Sequence, residues 1–191
     1  MTMGVFIIGG SNSIACTPFV RGALAAKATV DRIPDNARST RYTLERIEEW
    51  LGPRRWDAIY FNWGMHDLTR LDGGVPQVPL PEYVSNLEKL VVRLSKNSNH
   101  LLWGTTAAML PELQPKRRLE DVLAYNEAAR QVMEVKFKLP VHDLFLLTSE
   151  RPELLGEDGL HFSPEGCRVV GESIADFIGG YCLILKHPDT Q

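Results

Sequence analysis

An alternation constrains this chain more than anything else in it: five short apolar runs are separated by longer amphipathic segments. Val5-Phe6-Ile7-Ile8 is β-branched and aromatic and ends at Gly9-Gly10, which marks a buried strand. Further strands are expected at 28–33, at Ala58-Ile59-Tyr60-Phe61, at Leu101-Leu102-Trp103 and at 140–144. Between them, Leu44, Ile47 and Leu51 fall on one helical face, and Val84, Leu87, Val91 and Leu94 on another. Leu119, Val122, Leu123 and Met133 predict a third buried face. The last helix should start at Ser163 as N-cap, with Pro164 in its first position and Glu165 in its first turn. It would pack Val170, Ile174, Phe177 and Ile178 on the sheet. Strands alternating with helices make an α/β fold, here a three-layer α/β/α sandwich around a mostly parallel five-stranded sheet. Such sheets bind ligands at the carboxyl ends of their strands, so the loops there are where chemistry is expected.

The 191 residues suit one domain spanning 1–191, and 44% hydrophobic with 24% charged residues is the profile of an ordinary globular protein. A net charge of −3 argues against nucleic-acid binding or a polybasic membrane surface. Cys16, Cys167 and Cys182 form no CxxC pair, so buried thiols are expected rather than a disulfide framework or a zinc ribbon. No apolar run approaches the roughly 18 residues of a membrane span. The N-terminal stretch lacks the basic region of a signal peptide. A cytoplasmic location is the default expectation, although a secreted form already trimmed would read the same.

Four loops carry reactive side chains. Gly9-Gly10-Ser11-Asn12-Ser13 follows the first strand, where glycines and a serine can lift a hydroxyl above the sheet beside the N–H groups of a helix start. The plainer expectation is that Ser11 or Ser13 caps that helix. Neither GxxxxGK[ST] nor GxGxxG is present, so no nucleotide cofactor is expected. Asp35-Asn36-Ala37-Arg38 follows the second strand, and Gly64-Met65-His66-Asp67 the third. Before the last helix stands Asp158-Gly159-Leu160-His161, a carboxylate three residues from an imidazole whose tautomer it could fix. His66 and Asp67 lack HExxH or facial-triad spacing, so no metal site is expected.

Taken in order, these loops resemble the four sequence blocks of the SGNH, or GDSL-type, serine esterases, over residues from about 5 to 180. The DxxH of Asp158 and His161 is the most specific match; Tyr125-Asn126 and Val141-His142-Asp143-Leu144 are also similar to that family. The resemblance implies Ser11 as nucleophile, His161 as base and Asp158 as orienting acid, with no cofactor. It implies an oxyanion hole from the Ser11 N–H, that of Ala37 or Arg38, and the His66 side chain. Three departures stand out: Gly10 where the family has Asp, His66 where it has Asn, and no glycine at Ala37 or Arg38. The implied substrate is a small-molecule or carbohydrate ester with a short acyl group. Two rivals are a catalytically silent ligand- or carbohydrate-binding domain on the same scaffold and a flavodoxin-like cofactor or signalling domain. The loop 71–81 is where substrate specificity is expected to reside.

Overall fold

A computed structural model describes residues 2–71 and 74–186, with side chains as far as residue 181. The Cys182 side chain and residues 72–73 of the 71–81 loop therefore lie outside the described part. The strands are β1 (Met3–Ile8), β2 (Ala28–Arg32), β3 (Ala58–Phe61), β4 (Leu101–Gly104) and β5 (Val141–His142). The helices are α1 (Ser11–Leu24), α2 (Thr40–Leu51), α3 (Leu80–Leu94), α4 (Leu119–Arg130), α5 (Leu144–Ser149) and α6 (Pro164–Lys186).

All pairings are parallel, in the order β2-β1-β3-β4-β5. Alternate side chains of each strand feed two cores. On one face Val5, Ile7, Val30, Tyr60 and Leu102 meet Cys16 and Val20 of α1 and Val170, Ile174 and Ile178 of α6. On the other, Phe6, Ile8, Ile59, Phe61 and Trp103 meet α2, α3 and α4. The three-layer α/β/α architecture is as the alternation predicts. Its strand order reverses between β1 and β3, and the crevice at that reversal is where an open parallel sheet receives a ligand.

Two expectations need correction. Strand five was expected over 140–144 but holds only two residues, because the Asp143 carboxylate accepts the Leu146 N–H and starts α5 there. Leu119 and Leu123, expected in the core, are 38% and 48% exposed. Polar anchors set the rotation of α4: Asn126 exchanges two hydrogen bonds with the Thr106 backbone, and the Tyr125 hydroxyl donates to the Val78 carbonyl. The buried face is then Val122, Tyr125, Asn126 and Ala129. A π-turn at Gln131–Lys136, closed from Phe137 N–H to the Val132 carbonyl, keeps Val132 and Met133 buried beyond the helix end. At α6 the Ser163 hydroxyl accepts the Gly166 N–H, so the expected N-cap is made.

Candidate active site

Ser11 is the first residue of α1, immediately beyond the turn at the end of β1. No side chain caps this helix, so the serine hydroxyl is not spent on the backbone. It lies 2.9 Å from His161 Nε2, although 150 residues separate the two in the chain. The other imidazole nitrogen, Nδ1, donates to Asp158 Oδ2 at 2.5 Å. Asp158 Oδ1 accepts the N–H groups of Leu160 and His161, which folds the DxxH segment into a tight loop. Gly159 makes that loop possible: its φ is +65°, and a Cβ there would stand 2.8 Å from the Leu110 Cβ. These bonds, the one to His161 foremost, hold the Asp158 carboxyl down to about 2. An ionised Asp158 accepting at Nδ1 requires the proton there and leaves Nε2 as the acceptor for the Ser11 hydroxyl. A hydroxyl so held can lose its proton to the imidazole as it attacks an electrophile.

Asn12, which the sequence reading passed over, joins the two halves of this arrangement. Its amide donates to the Leu160 carbonyl and accepts the Phe162 N–H, both at 3.1 Å. Its neighbour Ser11 is thereby fixed against the histidine loop from both sides. The only sequence signal was its place beside the nucleophile candidate.

The remaining expected residues separate in their placement. Arg38 has φ +50°, the left-handed backbone for which glycine is the usual choice. Its N–H donates to Asn36 Oδ1 at 2.8 Å. Ala37 is fully buried, and its N–H is spent on the Gly9 carbonyl at 3.1 Å. His66 lines the cleft with Ser11, Asn36 and His161. A Cβ on Gly10 would stand 3.5 Å from Asn36 Oδ1 and 3.9 Å from His66 Nε2, so both groups face the turn that carries Ser11. Burial lowers the His66 pKa, and Arg117, Arg38 and His161 lower it further, which favours the neutral ring with one N–H to donate. Asp67 points away from the cleft: it is fully buried, and Oδ1 accepts the N–H and the hydroxyl of Thr40 at the start of α2. Ser13 lines the cleft but approaches no imidazole, and its buried hydroxyl has no partner among the described residues. No group of three or more metal-ligating side chains occurs among them either.

The cleft encloses a cavity of about 290 Å³. Its lining combines the polar Ser11, Arg38, His66, Arg117 and His161 with the buried apolar Leu144, Val170 and Ile174 of α5 and α6.

This architecture has solved counterparts. A lipase/acylhydrolase from Enterococcus faecalis superposes with a TM-score of 0.81 at 21% identity, over 94% of this chain and 97% of that one. The acetyl xylan esterase AlAXEase gives 0.75 at 16% identity, over 90% and 98%. The acetylxylan esterase Axe2 from Geobacillus stearothermophilus gives 0.76 at 18% identity, over 93% and 94%. The chain has the SGNH-hydrolase fold. No protein-family model matches it, and no curated protein matches it significantly, so the likeness is carried by structure and not by overall sequence. The loops after β1, β2 and β3 and before α6 converge on one crevice.

Proposed function

We propose that this chain is a serine hydrolase of carboxylic esters, working as one unit over 1–191 through Ser11, His161 and Asp158. The observation that carries the reading is the continuous relay from Asp158 Oδ2 through both nitrogens of His161 to Ser11 Oγ in the lining of a cavity. In the reaction, Ser11 Oγ attacks the ester carbonyl carbon while its proton passes to His161 Nε2. The carbonyl oxygen becomes an oxyanion, met by the N–H groups of Ser11 and Arg38 and by the His66 side chain. Of the two backbone candidates after β2 we favour Arg38, because Ala37 N–H is already bonded to Gly9. Arg38 N–H must exchange Asn36 Oδ1 for the oxyanion, so this donor is recruited as charge develops.

Collapse of the tetrahedral adduct breaks the bond to the alcohol oxygen, which takes the proton from His161 and departs. Water then gives its proton to His161 as its oxygen attacks the acyl-enzyme, and collapse returns that proton to Ser11 and frees the acid. No resident cofactor or metal enters this sequence. A short acyl group, such as an O-acetyl on a carbohydrate, is the favoured substrate part; two of the similar structures are described as acetyl xylan esterases.

The test is hydrolysis of p-nitrophenyl acetate with a fluorophosphonate label. The wild-type protein should turn over the ester and take the label, and Ser11→Ala should do neither, with kcat lower by about 10⁴-fold or more. Ser13→Ala should keep both properties. No labelling of the wild type would instead indicate a catalytically silent binding domain on this scaffold.

A further inference from the structure

Arg117 is the one cleft-lining cation whose surroundings the ester chemistry leaves unexplained. It is half-buried, and burial lowers the pKa of its guanidinium. A cation taken out of water without a counter-charge costs stability, so buried arginines are ordinarily paired. The comparable Arg70, also half-buried, makes two bonds to the Asp121 carboxylate at 2.8 and 2.9 Å. Arg117 takes part in no ion pair among the described residues. Its contacts there are the neutral Gln114 Oε1 at 2.7 Å and, at 3.5 Å, the Met65 carbonyl. Three of its five N–H groups remain for something else. The cleft lining as described contains Arg117 and Arg38 and no aspartate or glutamate at all, in a chain whose net charge is −3. Arg38 already stacks on the Tyr42 ring at 4.6 Å, near the Asp35 that binds the Tyr42 hydroxyl. Arg117 has no carboxylate within ion-pair range among the described residues; the Asp158 charge acts on it only from farther off, through the intervening Gln114.

Resting on the ester-hydrolase reading, we infer that Arg117 receives a carboxylate carried on the alcohol half of the substrate, so that the natural ester is one of an acidic alcohol such as a sugar acid. The half is set by position. Arg117 holds Gln114, and the Gln114 amide donates to the Asp158 carbonyl at 2.7 Å, which ties the guanidinium to the Asp158–His161 side of the cleft as well as to the Met65 carbonyl beside His66. That side must receive the departing alcohol, because His161 protonates it. The acyl half is left the apolar part of the lining, which includes Leu144, Val170 and Ile174. A planar guanidinium matches a carboxylate in a two-bond fork, an arrangement a lysine cannot copy.

The experiment compares 3-acetoxybenzoate with its neutral isostere 3-acetoxybenzamide in wild type, Arg117→Gln and Arg117→Lys. The ratio of kcat/KM for the two esters should fall at least about tenfold in Arg117→Gln, chiefly through KM for the benzoate, and recover only in part with lysine. A ratio unchanged by either substitution, with both esters slowed alike, would overturn the inference and make Arg117 a positioning residue for the Asp158 loop. Calorimetry with the product 3-hydroxybenzoate separates this from the fate of the esterase reading. Binding to Ser11→Ala protein that Arg117→Gln removes supports the receptor even if no ester is turned over. An absence of binding to Ser11→Ala protein overturns it even if both esters are hydrolysed.

Discussion

At the scale of single residues, His66 and Asp67 are neighbours with opposite duties. His66 stands where the family that the sequence resembles carries asparagine, and a neutral imidazole N–H can serve as the same kind of donor. If it meets the oxyanion, His66→Ala should lower kcat by about 10²–10³-fold with little change in KM, and His66→Asn should recover much of the loss. Near-normal kinetics for both variants would remove His66 from the oxyanion hole. Asp67 instead serves the fold. Burial pushes its carboxyl up to about 6, against the stabilising bonds from Thr40. A carboxyl with a raised folded pKa holds its proton more tightly in the native state. Its contribution to stability is therefore full below the unfolded value of 3.8 and is lost as pH rises through about 6. His142 opposes this: burial lowers it to about 4, so its contribution is present above the unfolded value of 6.5 and fades as pH falls. The two are separated by comparing variants. The stability of wild type minus that of Asp67→Asn, from urea titrations, should fall by up to ~3 kcal/mol between about pH 4 and 6.5. A flat difference would mean that Asp67 does not titrate in that range.

At the scale of elements, the site depends on how closely α1 and α6 approach, since Ser11 opens one and His161 precedes the other. Gly171 sits at their crossing, where a Cβ would come within 2.7 Å of the Phe19 Cβ and 2.8 Å of the Cys16 carbonyl oxygen. Gly171→Ala must therefore push the helices apart, at a cost of about 1–3 kcal/mol, and should lengthen the Ser11–His161 contact. Thermal unfolding should shift down and kcat should fall more than KM rises; unaltered turnover would show that the loops absorb the displacement. What the sequence reveals at this scale follows what local patterns encode. β1, β3 and β4 are runs without competition, and the Ser163-Pro164-Glu165 start of α6 is chemistry written in adjacent residues. The rotation of α4 depends on Asn126 finding Thr106 and Tyr125 finding Val78, partners far off in the chain, so periodicity alone turned Leu119 and Leu123 the wrong way. The same holds in the site. The DxxH loop closes on itself and can be read from four residues, whereas Asn12 acts on a loop 148 positions away and leaves no local trace.

At the scale of the whole molecule, the acyl preference follows from one compact set of five strands and six helices with no long apolar lid segment among the described residues to shelter a fatty chain. Among acetyl, butyryl and decanoyl esters of one alcohol, kcat/KM should be highest for the shorter chains, and a marked rise towards decanoyl would contradict this. None of the side chains that meet in the cleft forms a cluster with three metal-binding groups, so exhaustive chelation should leave hydrolysis unchanged. Loss of activity that zinc or manganese restores would redirect Asp158 and His161 to a metal.

The separation of 150 positions between Ser11 and His161 also imposes an order in time. On the proposed mechanism, a ribosome delivers the nucleophile early and its base only after β1 to β5 have emerged, so a nascent chain would be chemically inert while most of its sheet assembles. Closing so long a loop is among the slower steps available to a chain of this size. On refolding from urea, esterase activity should consequently return no sooner than α6 docks, behind the far-ultraviolet signal of its helices, and so give a kinetic clock for the final joining of the two ends.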